Sequence, residues 1–231
     1  MNTQHGLITI IHTSFVAVEG LTELFAELAP QVTLRHIVDD SLLEEVLSNG
    51  CVTPGVRKRL GAYLAAAEQM GSDLIFSQCS SVGEAVDEAS GEIAIPVVRI
   101  DTRMAELACE AGTRIGVVAT LGTTLEPTSA LIEKTAATMS RSVALERVLV
   151  EGAFDDLRAG DLEQHNAKIV DAVRALAKRV DVVVCAQGSM AAIVPLLGET
   201  PVAVLTSPRT GVAHAIEVLN DRFASRRAAE S

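Results

Sequence analysis

Apolar and polar positions along this chain fall into two alternating lengths. Short, nearly continuous apolar runs such as "GLITIIH", "DLIFSQ", "RIGVVAT" and "DVVVCA" are followed by longer stretches with helical spacing. In the first half, "GLITIIH" leads to "VEGLTELFAELAP", and "TLRHIVDD" to "SLLEEVLSNG" and "PGVRKRLGAYLAAAEQMG". "DLIFSQ" then leads to "SSVGEAVDEASG", and "IPVVRI" to "TRMAELACEAG". The second half repeats the scheme, with "RIGVVAT" before "EPTSALIEKTAATM", "LERVLVEG" before "LEQHNAKIVDAVRALAKR", "DVVVCA" before "SMAAIVPLLG", and "PVAVLT" before "TGVAHAIEVLNDRF". Apolar runs without alternation, each followed by a helix, predict parallel strands buried on both faces.

The two halves are also alike in detail. Superposing Asp73 on Asp181 (an offset of 108, 181 − 73) sets Cys79 against Gln187 and Ser81 against Ser189. Sliding "LITIIHTSF" onto "GVVATLGTT" needs 109 (116 − 7), and "IPVVRI" onto "TPVAVL" needs 105 (201 − 96). The expected fold class is therefore α/β, with two pseudo-symmetric lobes, each a parallel sheet flanked by helices. The predicted division is residues 1–105 for the first lobe and 106–207 for the second. A C-terminal helix within 208–231, around Thr210 to Phe223, is expected to pack back on the first lobe.

Composition narrows the class of function. The chain has 231 residues, of which 48% are hydrophobic and 3% aromatic, with no Trp. That mix suits a packed α/β protein. The formal net charge of −11 and the lack of a basic stripe argue against a nucleic-acid partner. No apolar run is long enough to span a bilayer, and the N-terminus does not read as a signal peptide. The four cysteines show no CxxC spacing and no histidine cluster, so reduced thiols, a cytoplasmic location and no metal are expected. No dinucleotide loop, P-loop or marked pyridoxal lysine is present, so no cofactor is expected either.

In open parallel sheets, ligands gather beyond the carboxyl ends of the strands. Four loops take that place: "HTSF" (His12 to Phe15), "QCSS" (Gln78 to Ser81), "TLGTT" (Thr120 to Thr124) and "AQGS" (Ala186 to Ser189). Facing lobes would set all four around one cleft. Hydroxyls, glycines, a thiol, an amide and helix-start N–H groups in such loops suit a small carboxylate.

At these residues the chain resembles the aspartate/glutamate racemase superfamily, which includes hydantoin racemases, maleate isomerase and arylmalonate decarboxylase. The resemblance rests on the opening strand into "IHT", then "DLIFSQCSS", "IDTRM", "RIGVVATLGTT" and "DVVVCAQGSMA", and spans nearly the whole chain. It implies two lobes with the active site in the cleft between them, no cofactor, and a cysteine from each lobe on opposite faces of the substrate's α-carbon. It also implies frequent assembly as dimers or larger homo-oligomers. Cys79 falls on the first cysteine. At the second stands Gln187, which the internal repeat independently sets opposite Cys79, while Cys185 lies two residues earlier in the strand.

The candidate catalytic residues are thus Cys79 and Gln187. A thiol at a helix N-terminus is expected to have its pKa lowered from about 8.5 toward neutrality, as a base, nucleophile or proton donor. The Gln187 amide cannot exchange protons; it could donate to an enolate oxygen or merely fill space. Candidate substrate-binding residues are His12, Thr13, Ser80, Ser81, Thr120, Thr123, Thr124, Gly188 and Ser189. Cys185 reads as core and as the runner-up second thiol, and His12 as a second base, a donor or a structural histidine. Asp101 reads as a residue that orients another active-site group or, the favoured reading, as a helix cap. Asp161 and His165 read as a helix start on the surface.

The expected activity is that of a cofactor-independent racemase or isomerase, acting next to the carboxylate or amide carbonyl of an amino acid, hydantoin or dicarboxylate. The alternatives are a decarboxylase or other lyase on the same scaffold, and a binding protein without turnover. The expected partner is the small carboxylate or cyclic-amide substrate, with no membrane partner.

Overall fold

The computed structural model of the chain describes residues 6–229. In the first half, β1 (Leu7–His12) leads to α1 (Val16–Leu28), and β2 (Thr33–Val38) to α2 (Ser41–Asn49) and α3 (Pro54–Gln69). β3 (Leu74–Ser77) then leads to α4 (Gly83–Ser90), and β4 (Val97–Arg99) closes the first sheet. The second half runs through α5 (Thr102–Ala111), β5 (Arg114–Ala119), α6 (Gly122–Thr138), β6 (Ala144–Leu149), α7 (Ala153–Arg158) and α8 (Leu162–Leu176). It ends with β7 (Val182–Cys185), α9 (Val194–Leu197), β8 (Ala203–Thr206) and the long α10 (Ser207–Ala229).

Two four-stranded sheets form, both entirely parallel, in the orders β2-β1-β3-β4 and β6-β5-β7-β8. The orders are the same under the repeat. Registers locate the equivalence: Ile8 pairs with Leu74 as Ile115 pairs with Val182. Hence β1 maps on β5 with an offset of 107 (115 − 8) and β3 on β7 with 108 (182 − 74). Val97 and Val204, which pair with Ile75 and Val183, give 107 (204 − 97) for β4 and β8. Matching residue types had placed the first pair at 109 and the last at 105. Each slip is two residues, the smallest shift that keeps every side chain on its own face and so leaves the apolar pattern unchanged.

The chain divides into two compact units, one of the residues up to Ile100 with those from Arg209 on, the other Asp101–Pro208. Each unit therefore includes the helix that follows the other's last strand, α10 in the first and α5 in the second. In the first unit, Ile8, Ile10, Leu74 and Phe76 pack under Leu21 and Phe25 of α1 and Val212, Ala215, Leu219 and Phe223 of α10. Ile11 and Ile75 face the other way, onto Leu42 and Val46 of α2 and Val56, Leu60 and Leu64 of α3. In the second unit, Ile115, Val117, Val182 and Val184 pack on α5 and α6, while Val118, Val183 and Cys185 pack on Ile169, Val173 and Leu176 of α8. The helical spacing of Val56, Leu60, Leu64 and Ala67 puts all four inside. At one point backbones nearly touch: a Cβ on Gly211, in the second turn of α10, would lie 2.3 Å from the Ile100 carbonyl oxygen, so only glycine lets the helix pass there.

Local signals set the ends. Thr53 accepts the Val56 N–H at 3.2 Å and Pro54 opens α3, while Asp161 accepts the Gln164 N–H at 3.0 Å to open α8. Gly50, at φ 69°, closes α2 in the Asn-Gly turn. Differences from the sequence-based elements occur in the loops. α6 begins at Gly122, several residues before "EPTSALIEKTAATM". The segments after β3 and β7 begin as 3₁₀ turns, Ser80–Val82 and Gly188–Ile193. A short helix, α7, was not foreseen. It explains why His165 is buried rather than on the surface: its Nδ1 lies 2.7 Å from the Ala153 carbonyl oxygen at the start of α7. Asp101 occupies the position before α5 but makes no side-chain capping bond there.

Candidate functional site

The strand order decides where each sheet opens. From β1 the chain crosses to β2 on one side and then back past β1 to β3 on the other. Loops leaving β1 and β3 therefore diverge at their carboxyl ends, the crevice where such sheets bind ligands. The same holds for β5 and β7. In each unit the two diverging loops are those singled out from the sequence.

In the first unit Cys79 ends the extended segment after β3 (φ −114°, ψ 118°) and opens the 3₁₀ turn Ser80–Val82. It is half-buried, and Ser80 and Ser81 are buried. Burial pushes the Cys79 thiol pKa up, although hydrogen bonds from the Thr13 side chain, from the N–H and side chain of Ser81 and from the Val82 N–H pull the other way. The expected lowering at a helix start is therefore reversed, because a one-turn 3₁₀ segment brings little dipole and the desolvation cost of a thiolate dominates. The resting form is the thiol.

His12 lies on the other face of the sheet. Strand alternation sets it with Ile8 and Ile10, whereas Thr13, one residue on, belongs with Ile11 on the face of the Cys79 cluster. Its side chain is fully buried, and its Nε2 is 2.9 Å from His36 Nδ1, with the rings 5.2 Å apart. Burial first, and the neighbouring His36 second, lower the His12 pKa to about 4. Its Nδ1 has no hydrogen-bond partner among the described residues. An orphaned acceptor costs less than an orphaned N–H, so the favoured arrangement has His12 Nε2–H donating to His36. His36 was missed from the sequence; its signal is the parallel register, which pairs it with Ile10 two residues before His12.

Asp39 was also missed. Its N–H donates to the His12 carbonyl at 3.1 Å, and its carboxylate accepts from Ser41 Oγ at 2.5 Å, Tyr63 Oη at 2.7 Å and Arg59 Nη1 at 3.0 Å. This network fixes the loop after β2 beside the end of β1. A "D-x-S" turn after a strand is the readable part of it; the Tyr63 and Arg59 bonds come from α3 and need the fold.

In the second unit Gln187 has nearly the same backbone conformation as Cys79, φ −111° and ψ 136°, and likewise opens a 3₁₀ turn. Its side chain is clamped. The Thr120 N–H donates to Gln187 Oε1 at 2.6 Å, Gln187 Nε2 donates to Thr120 Oγ1 at 2.9 Å, and that hydroxyl is 3.1 Å from Oε1. Because a backbone N–H can only donate, it fixes which end of the amide is oxygen. Turning the amide over would set donor against donor, at a cost of about 1–3 kcal/mol. Thr120 and Thr124 are buried, Gly188 is half-buried and Ser189 exposed. Thr123 Oγ1 is buried without a hydrogen bond among the described residues.

Cys185 is core. It is fully buried among Val118, Val183, Met190 and Ile193, and burial alone pushes its pKa up to about 12. Cys109 is buried mid-helix and Cys51 is exposed. Among the described residues, no group of three or more His, Cys, Asp or Glu side chains could hold a metal ion, and no helix is long and apolar enough to cross a membrane.

Comparison with known proteins returns one family profile, Asp/Glu/Hydantoin racemase, matching residues 7–215. Among curated proteins none matches. Solved structures share the fold at low identity. Glutamate racemase from Bacillus anthracis is 17% identical with a TM-score of 0.71, covering 94% of this chain and 83% of its own. Picrophilus torridus aspartate racemase is 14% identical (TM-score 0.67, 93% and 94% covered). Allantoin racemase from Klebsiella pneumoniae is 18% identical (TM-score 0.65, 93% and 88% covered).

Proposed function

The chain belongs to the Asp/Glu/hydantoin racemase family, and from that premise we propose that it moves a proton at the carbon next to a carboxylate or amide carbonyl of a small substrate. Cys79 carries the proton, and Gln187 donates a hydrogen bond to the oxygen on which charge develops. Thr13, Ser80, Ser81, Thr120, Thr123, Thr124, Gly188 and Ser189 line the binding loops, with His12 behind them. The observation that carries this reading is the equivalence of Cys79 and Gln187. Both lie two residues beyond the third strand of their unit, both open a 3₁₀ turn, and their backbone angles agree within 20°. One place holds a proton carrier and the other a donor that keeps its protons.

A second reading, as a decarboxylase-type lyase, is favoured by the same asymmetry. Cys185 is sealed in the core and His12 lies on the opposite face of its sheet, so one thiol serves one face of the substrate. Burial also keeps Cys79 in its thiol form, suited to giving a proton to an enolate. In that step the carbon–carbon bond breaks, carbon dioxide leaves, the electron pair forms the enolate, and S–H protonates its carbon. Water then reprotonates the thiolate.

Proton NMR in deuterated buffer separates the readings. Aspartate, glutamate, hydantoins, substituted malonates and maleate are each incubated with wild type and with Cys79→Ala. Deuterium entering one substrate without loss of carbon dioxide supports isomerase chemistry, and loss of a carboxylate supports the lyase. Turnover that Cys79→Ala leaves intact would refute both.

A further inference from the structure

Thr120 was a candidate for binding substrate, yet its polar groups are spent on Gln187. Two atoms of Thr120, its N and Oγ1, and two of Gln187, Oε1 and Nε2, lie within hydrogen-bond distance in three combinations, at 2.6, 2.9 and 3.1 Å. These contacts use Oε1 and one of the two Nε2 protons. The remaining Nε2–H has no acceptor among the described residues, and Gln187 is only half-buried. The first unit has a parallel. With the offset of 107 that relates β1 to β5, Thr120 corresponds to Thr13 (120 − 107), the residue whose side chain hydrogen-bonds Cys79. A threonine one residue beyond the central strand thus holds the head group at the reacting position in each unit.

We propose that Thr120 is a positioning residue that fixes Gln187 as a donor of one uncommitted N–H, and that this N–H receives a carbonyl or carboxylate oxygen of the substrate. The backbone N–H of Thr120 anchors Oε1, and its hydroxyl removes the remaining swing of the amide about that anchor. With only the anchor, the free proton would sweep an arc and lose its direction at the moment charge develops. Clamped, the second unit supplies a fixed dipole while Cys79 alone moves protons. The inference rests on the proposed reaction for the identity of the acceptor, but not for the clamp itself.

The clamp is tested without turnover. In ¹H–¹⁵N spectra of the full chain, the Gln187 side-chain pair is assigned by its loss in Gln187→Leu. The proton bound to Thr120 Oγ1 should exchange with solvent about tenfold more slowly than its geminal partner. Thr120→Val, which keeps the backbone anchor, should erase that difference, and Thr120→Ser should restore it. No difference in wild type, or one that survives in Thr120→Val, would overturn the positioning role. Propionate and 5-methylhydantoin serve as probes of the free proton. Either should shift its resonance in wild type and Thr120→Ser, with Kd about tenfold weaker in Thr120→Val. If a probe protects Cys79 from alkylation but leaves the Gln187 protons unmoved, the donor role is wrong while the site reading stands. If Cys79→Ala turns over a substrate like wild type, the proposed reaction fails, and the exchange rates still decide the clamp.

Discussion

The corners around Cys79 and Gln187 share a backbone and differ in what they do with a proton. Both residues are extended, follow a buried parallel strand, open a 3₁₀ turn and are held by a threonine one residue beyond the neighbouring strand. In the first unit the held atom is a thiol sulfur among hydroxyls and N–H groups. In the second it is an amide that keeps its protons across the whole physiological range. A duplicated scaffold conserves geometry through its ladder, since strand register and turn conformation depend on backbone bonds. It leaves the chemistry of each corner to one side chain. The symmetry extends to the amino-terminal ends of the inner strands, where Asp73 accepts the Leu7 N–H at 3.1 Å and Asp181 accepts the Arg114 N–H at 2.9 Å.

The largest effect that would break or sharpen this comparison is expected from Cys79→Ala. Loss of the proposed proton carrier should lower turnover by about 10³-fold or more, read as deuterium incorporation, with thermal stability nearly unchanged. The matching deletion, Gln187→Leu, removes a donor and should lower kcat by about 10²-fold, with a smaller effect on KM. Gln187→Cys should instead place a second thiol on the Cys79-like backbone and convert one-face exchange into racemic product. A single-handed product from that variant would show that the two corners are not chemically interchangeable.

The pH dependence separates the units in a different way. His12 belongs to the first unit, with a folded pKa of about 4 against an ordinary value of 6.5. Between those values the unfolded chain binds the extra proton. The contribution of His12 is therefore fully present above pH 6.5 and is lost as pH falls through about 4, amounting to about 3 kcal/mol. Chemical denaturation at pH 7 and pH 4 should show that loss, and His12→Asn should flatten it. A slope unchanged by the substitution would remove His12 as its cause. The smallest effect is expected at Cys185: Cys185→Ala should cost about 1 kcal/mol of stability from the small cavity and leave turnover within about twofold.

Much of this was legible in the chain. Continuous apolar runs with helices behind them required parallel strands covered on both faces, and the self-similarity of "DLIFSQCSS" and "DVVVCAQGS" required two like units with Cys79 and Gln187 in like places. Those inferences rest on periodicity and local chemistry, which are properties of neighbouring residues. Register was less accessible. A slip of two residues preserves the inside–outside pattern, so only the ladder could choose 107 over 109 for the first strand. Tertiary structure alone decided that His165 goes inside, because its partner is a carbonyl of a six-residue helix, too short for its apolar spacing to announce it. It also decided that His12 turns away from Cys79 toward His36, and that the Cys79 thiol is held protonated. The same holds for Gln187, whose amide is aimed by Thr120, 67 residues earlier. Burial, partner and direction are set by residues far apart in the chain, and desolvation has no value until those residues have closed around the group.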